Sequence, residues 1–160
     1  RYVKYNWIDK AWDVGTMART AIIDKSVFAN PLMAGTDNII WKHESGNDNV
    51  GASSTTAMSE FIESAPFEIS DGENITKVTS IIPDFKGLVG TVNMSVLTRQ
   101  YPQGTGTRVE EFISVIGTGT SKVDIKAAGR QAAVRVAGTS TGNYWRLGVV
   151  KLDVHPGGRK

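Results

Sequence analysis

Between residues 88 and 99 the chain alternates without a break. Val92, Met94 and Val96 fall on one side, and Thr91, Asn93 and Ser95 on the other. A period of two belongs to a strand with one face in an apolar interior. A polar second face implies an antiparallel sheet with one wet side. The same period returns over residues 144–154, where Val150, Leu152 and Val154 oppose Val149, Lys151 and Asp153. No segment carries a helical period, and no apolar run approaches the roughly 20 residues of a membrane helix. Thr, Ser, Val, Ile and Gly are plentiful while Leu is scarce, a composition suited to strands and turns.

The remaining strands follow from the same reading. Residues 57–64, 67–70, 74–82, 108–116, 122–127 and 130–137 read as strands, with Asp71-Gly72 as a hairpin signal. The Gly104–Thr107 and Gly117–Thr120 echoes read as turns. Residues 138–143 are rich in Gly, Ser, Thr and Asn and read as the turn of a closing hairpin, which Pro156-Gly157-Gly158 ends. Trp145 and Leu147 are expected to add cover to that sheet. About eight strands in about 100 residues suit a two-sheet sandwich over 51–160.

Residues 1–50 have a different rhythm. Residues 2–8 alternate, Asp9-Lys10 reads as a turn with residues 11–13 after it, and residues 18–24 and 38–44 read as a second and a third strand. Residues 28–36, with Pro31 and Gly35, read as a loop. Short strands at about ten-residue spacing resemble a propeller blade. The polar stretch 45–56 reads as a linker. The expected fold is therefore all-β: an antiparallel β-sandwich preceded by a partial propeller-like blade.

Signals for chemistry are sparse. Cys is absent, which removes disulfides and thiol chemistry. The glycine runs lack a following Lys-Ser or Lys-Thr and open no helix, so they are turns rather than phosphate loops. His43 and His155 are the only histidines. Glu60 and Glu63, three apart on an expected strand, face opposite ways, unlike a glycosidase pair. Asn47-Asp48-Asn49 and the 71–74 stretch lack a calcium-loop frame. No enzyme activity, cofactor or metal site is expected.

The net charge of +2 hides an asymmetry. Residues 51–100 hold three basic and six acidic groups, a balance of −3, while residues 101–160 hold nine and four, a balance of +5. Such asymmetry can mark contact with nucleic acid or an acidic partner, but the more ordinary reading is that the basic groups alternate along strands and decorate a solvated or subunit-facing side.

Several short motifs carry a resemblance. They are Gly129-Arg130-Gln131, then Tyr144-Trp145-Arg146-Leu147-Gly148, Leu152-Asp153-Val154 and Gly157-Gly158-Arg159. Pro83-Asp84-Phe85, Arg99-Gln100-Tyr101-Pro102, residues 7–19 and residues 38–46 join them. Together they resemble the C-terminal end of the tail nozzle or hub proteins of short-tailed phages, the packaged-DNA stabilisation group. The resemblance implies a structural virion protein of the phage tail. It implies a ring of identical copies, usually sixfold, below the portal and adaptor. Tail fibre or needle proteins would be its neighbours, and genomic DNA would pass through the channel. No catalytic or cofactor residue is implied. Within such a ring the charge asymmetry suggests a pairing between copies, with Arg130, Arg135 and Arg146 on one side and Glu60, Glu63 and Asp84 on the other. A carbohydrate-binding sandwich and a DNA-contacting β domain are the alternative readings, the first expecting a row of exposed aromatics.

Overall fold

The structure, a computed structural model, describes residues 1–8, 10–51, 53–68, 74–101 and 109–159. The expected turns at Asp71-Gly72 and Gly104–Thr107 lie outside them. The described residues contain strands and turns and no helix, and the sheets are antiparallel. The chain divides into a front unit, Arg1–Gly46, and a back unit, Asn47–Lys160.

In the front unit β1 (Tyr2–Asn6) and β2 (Ala11–Gly15) form a hairpin, turned through Lys10 at φ 52°. Strands β3 (Arg19–Ile23), β4 (Leu32–Gly35) and β5 (Ile40–Lys42) form a meander. The expected loop over 28–36 thus holds the central strand of that sheet. Pro31 and Gly35 suggested a loop, but Pro31 stands just before the first strand residue, where no ladder N–H is needed. Its carbonyl accepts from the His43 N–H at 2.9 Å.

In the back unit β6 (Asp48–Val50) and β7 (Thr55–Ala57) form a small hairpin inside the stretch expected to be a linker. The other strands are β8 (Phe61–Glu63), β9 (Asn74–Ile82), β10 (Phe85–Val89), β11 (Val92–Arg99), β12 (Val109–Ile116), β13 (Val123–Gly129), β14 (Gln131–Gly138), β15 (Tyr144–Leu147) and β16 (Lys151–Arg159). A larger sheet runs β12-β11-β14-β8, a smaller one β13-β9-β16, and β10 pairs with β15. The inner faces of the two sheets share one apolar core. Val78 and Ile81 from β9 and Ile125 and Ala127 from β13 meet Val92, Met94 and Val96 from β11, Ile116 from β12 and Val136 from β14. This is the sandwich the alternation implied. Val134, Val150 and Leu152 are half-buried against the same cluster, as are Trp145 and Leu147.

Three readings of the back unit need correction. The alternating run after residue 88 is not one strand. Gly90, at φ +79°, turns the chain between β10 and β11, which join different sheets. A side chain at Gly90 would collide with Asn143 Oδ1 as well as strain the backbone. The run over 144–154 is likewise two strands. The Asp84 carbonyl accepts from the Gly148 N–H at 2.8 Å, and its carboxylate accepts from the Val149 N–H at 3.1 Å. These bonds hold the break, so β15 pairs with β10 and β16 with β9, and β14 and β15 form no hairpin. Nor does Pro156-Gly157-Gly158 end the last strand. Strand β16 continues to Arg159 through a register shift, and as an edge strand it tolerates the missing proline N–H.

The Gly129-Arg130-Gln131 motif marks the crossing from the smaller to the larger sheet. A Cβ on Gly129 would lie 2.8 Å from Thr98 Cβ and 3.0 Å from the Arg99 carbonyl oxygen, so only glycine lets β13 close on β11 here. The Arg130 N–H then donates to that carbonyl at 2.9 Å.

The core predicts graded costs. Ile81, fully buried, should lose about 2–5 kcal/mol on change to Ala. The half-buried Leu152 should lose less. Urea denaturation of the two variants checks this. Equal losses would mean that the edge strand β16 is as tightly enclosed as β9.

Candidate interaction surface

The front unit is built from strands yet encloses almost nothing. Among its described residues only Pro31 is buried. The β1–β2 register shows why. Val3 stands opposite Val14 and Tyr5 opposite Trp12, so these four share one face. Lys4 opposite Asp13 and Asn6 opposite Ala11 occupy the other. The apolar face is the open one: Val3 is 66%, Trp12 70% and Val14 71% exposed. Tyr5 and Trp12 lie 4.6 Å apart at a 37° tilt and make a firm aromatic pair at its centre. The alternation of residues 2–8 was legible in the sequence, but not which side would lack cover.

The opposite, polar face of this hairpin borders a cleft of about 570 Å³ within the front unit, with Tyr2, Lys4, Asp13, Arg19, His43 and Glu44 on its walls. Arg19 is its hub. Its guanidinium lies 4.7 Å over the Trp41 ring, and its Nε–H donates to His43 Nε2 at 3.2 Å. Trp41 is anchored in turn by donating Nε1–H to Asp37 at 3.1 Å. Burial pushes the His43 imidazole below its ordinary value, the Arg19 charge pushes it further, and Glu44 partly opposes both. The imidazole lone pair that a general base would use is therefore already occupied by a guanidinium. Glu44 is paired with Lys25 at 3.3 Å. Among the described residues no three His, Cys, Asp or Glu side chains converge to hold a metal ion.

The outer face of the larger sheet differs from the wet surface its sequence suggested. Asn93 and Ser95 point outward, yet Ser95 is only 3% exposed. Its row across the sheet is Ile113–Ser95–Arg135–Glu63, and the next is Val115–Asn93–Ala137–Phe61. Ile113 and Arg135 flank Ser95 on the two neighbouring strands, so the small side chain lies sheltered between them.

The six residues expected at a subunit interface are dispersed over the back unit, and one pair meets within the chain. Glu63 and Arg135 stand opposite each other on β8 and β14, at 3.8 Å. Arg135 also lies 4.5 Å over the Phe61 ring. Glu60 accepts from Trp145 Nε1 at 3.0 Å. Asp84 holds the β15–β16 break described above. Arg130 lies over Tyr101 and Arg146 over Tyr144, at 5.8 and 5.7 Å. Among the described residues, no helix is long and apolar enough to cross a membrane.

Comparison with known protein families finds none that matches this chain, and comparison with curated proteins finds no match either.

The His43 environment predicts a pH response. In an NMR titration its midpoint should fall below the ordinary value of 6.5. Arg19→Gln should move the midpoint up but leave part of the displacement, because burial is the larger cause. The fold prefers the neutral ring, so the unfolded chain binds the proton more readily. The stability His43 contributes is complete above pH 6.5 and is lost as the pH falls through its lowered folded value.

Proposed function

We infer that the protein is a structural component of a phage tail, part of a ring of identical copies around the DNA exit channel, and acts by assembly rather than catalysis. The observation that carries this reading is the uncovered apolar surface of the front unit. Strands with Val3, Tyr5, Trp12 and Val14 facing water are suited to a setting in which another surface covers them. The motifs that resemble the tail nozzle and hub proteins support the same reading. So does the cleft, where the one histidine is committed to Arg19. On this reading the front unit is the partial propeller-like blade of a longer architecture, and the adaptor and the tail fibres or needle are neighbours in the virion.

Charge asymmetry adds a seam between copies to this reading. Arg130 and Arg146 are the expected basic groups to test between chains, and Arg135 already meets Glu63 within one chain. A carbohydrate-binding reading draws on the exposed Tyr5–Trp12 pair, with Trp7, 75% exposed, in the adjoining turn.

The expected behaviour in solution is a closed oligomer. Sedimentation and native mass spectrometry of the chain should show a discrete species of several copies, in exchange with smaller ones. Arg130→Glu with Arg146→Glu should weaken it. Unchanged assembly in that double variant would exclude the charge seam while leaving the ring. A monomer at every concentration, together with binding on a glycan array, would replace the ring with the carbohydrate reading.

A further inference from the structure

Strands β9 and β10 follow each other in the chain and pair in turn with β16 and β15, so the smaller sheet continues into the β10–β15 pair as one ribbon, interrupted at Asp84. Its inner side belongs to the core. Its outer side collects basic groups. On β9, Lys77 and Thr79 stand out between the buried Thr76, Val78 and Ser80. On β13, Lys126 is exposed between the buried Ile125 and Ala127. Lys151 is exposed at the start of β16, opposite Ile82. Farther along, Lys86 on β10 stands directly opposite Arg146 on β15, and both are exposed.

Like charges directly opposite on neighbouring strands destabilise a sheet. Nothing in the chain relieves the Lys86–Arg146 pair: among the described residues neither forms an ion pair. Nor do Lys77, Lys126 and Lys151. The carboxylates on this side are engaged elsewhere. Asp84, two residues before Lys86, accepts from the Val149 N–H at 3.1 Å. Asp124 is paired with Lys122 at 3.1 Å, and Asp153 lies 3.3 Å from His155 Nε2. With Lys122 included, six basic groups stand against three carboxylates here, a balance of +3. The outer side of the larger sheet has no such excess, because Arg99 and Arg135 are matched there by Glu63 and Glu111. The basic excess of the C-terminal segment is thus gathered on one side of the sandwich.

We propose that the outer side of this ribbon binds the phosphodiester backbone of a nucleic acid, whatever its sequence, with Lys86 and Arg146 on one phosphate and Lys77, Lys126 and Lys151 on others. The Cβ atoms of directly opposed residues lie about 5 Å apart, near enough for both cations to reach one phosphate. Such binding does not depend on the ring reading. Within a ring it names the side that meets the DNA.

The chemistry of this side favours phosphate over protein. A protein interface has an apolar centre in which lysine is depleted. Among the described outward positions of the smaller sheet, Ile82 is the one large apolar side chain, and it is 43% exposed. Beside the lysines stand Thr79, Asp124, Asp153 and His155. Val89 and Val149 are exposed singly farther along. A phosphate backbone is held by cations spread along a surface and needs no apolar centre. Length favours a polymer over a small anion. Lys77 and Lys86 are nine residues apart along β9 and β10. At about 3.3 Å per residue the ribbon between them spans at most about 30 Å, or roughly nine base pairs of duplex. A single small anion would engage the Lys86–Arg146 pair and leave the three lysines of the sheet unused.

The test is fluorescence anisotropy of a short labelled duplex and a short labelled single strand, both of mixed sequence, with the full chain. The parent should bind both. The logarithm of its affinity for the duplex should fall with the logarithm of salt concentration at a slope of about −4.5, for about five phosphate contacts. Lys86→Gln with Arg146→Gln should reduce that slope by about two, and Lys77→Gln with Lys126→Gln and Lys151→Gln by about three. Far-ultraviolet circular dichroism should match the parent in both, since every changed side chain is exposed. The triple variant keeps Arg130 and Arg146, so its assembly in native mass spectrometry should match the parent's, which separates this contact from the seam between copies. The control is Lys4→Gln with Lys10→Gln and Lys42→Gln, in the front unit, which should leave the slope nearly unchanged. A control that costs as much as the triple variant overturns the proposal, because net charge alone would then account for binding. Poly-L-glutamate that displaces the labelled duplex as well as unlabelled duplex does overturns it in favour of an acidic protein. Failure of the parent to bind either probe at low salt overturns it outright and leaves the ring reading standing.

Discussion

The back unit depends on one dry interface, the inner face of β9 and β13 against the inner face of β11, β12 and β14. Val78, Ile81, Val92, Met94, Val96, Ile116 and Val136 are all at most 1% exposed there. Each such side chain contributes about 1.5–3 kcal/mol over leaving it in water. Because a one-residue slip would turn every one of them outward, the interface also sets register in both sheets. The crossing at Gly129 follows from it, since β13 and β14 must reach opposite sides of the core within one residue. So does the flank closed by β10 and β15. There Phe85 and Trp145 meet edge to face at 6.2 Å, and the Trp145 indole is satisfied by Glu60 at 3.0 Å.

The front unit is held differently. Its strands are joined by ladder hydrogen bonds and by the Arg19 hub, with Trp41 and His43 gathered around one guanidinium. A lone two-stranded hairpin is marginal in water unless something packs on it. The contrast between a unit with a dry core and a unit whose apolar face is open underlies the functional reading. On that reading the first would serve as the platform and the second would carry the surface for recognition.

Much of the fold was legible because alternation is local. Val92, Met94 and Val96 announced their burial by spacing alone, and Val150, Leu152 and Val154 announced a shared face. What failed was pairing. The tripeptide between Leu147 and Lys151 looks like continuous strand in sequence, and only its bonds to Asp84, over 60 residues earlier, show it as a break. Leu32–Gly35 looked like a loop because its punctuation by Pro31 and Gly35 is a local signal, while its place between β3 and β5 is not. Of the expected interface residues, charge counts located an acidic and a basic segment but not Glu63 against Arg135 in one chain.

By itself the sequence determined the class of the protein. Period-two alternation and turn-rich composition allow antiparallel strands and little else, since each strand's two faces are set by the pleat. The lack of cysteine ruled out thiol chemistry before any fold was known. Tertiary structure alone decided which strands became neighbours, because ladder bonds form between residues far apart in the chain and every strand offers the same donors and acceptors. It also decided which apolar faces found cover. Tyr5 and Trp12 carry large apolar ring surfaces, as Met94 and Ile81 carry large apolar side chains. They differ in that the core of the sandwich closes over the second pair, and no described residue of the front unit closes over the first.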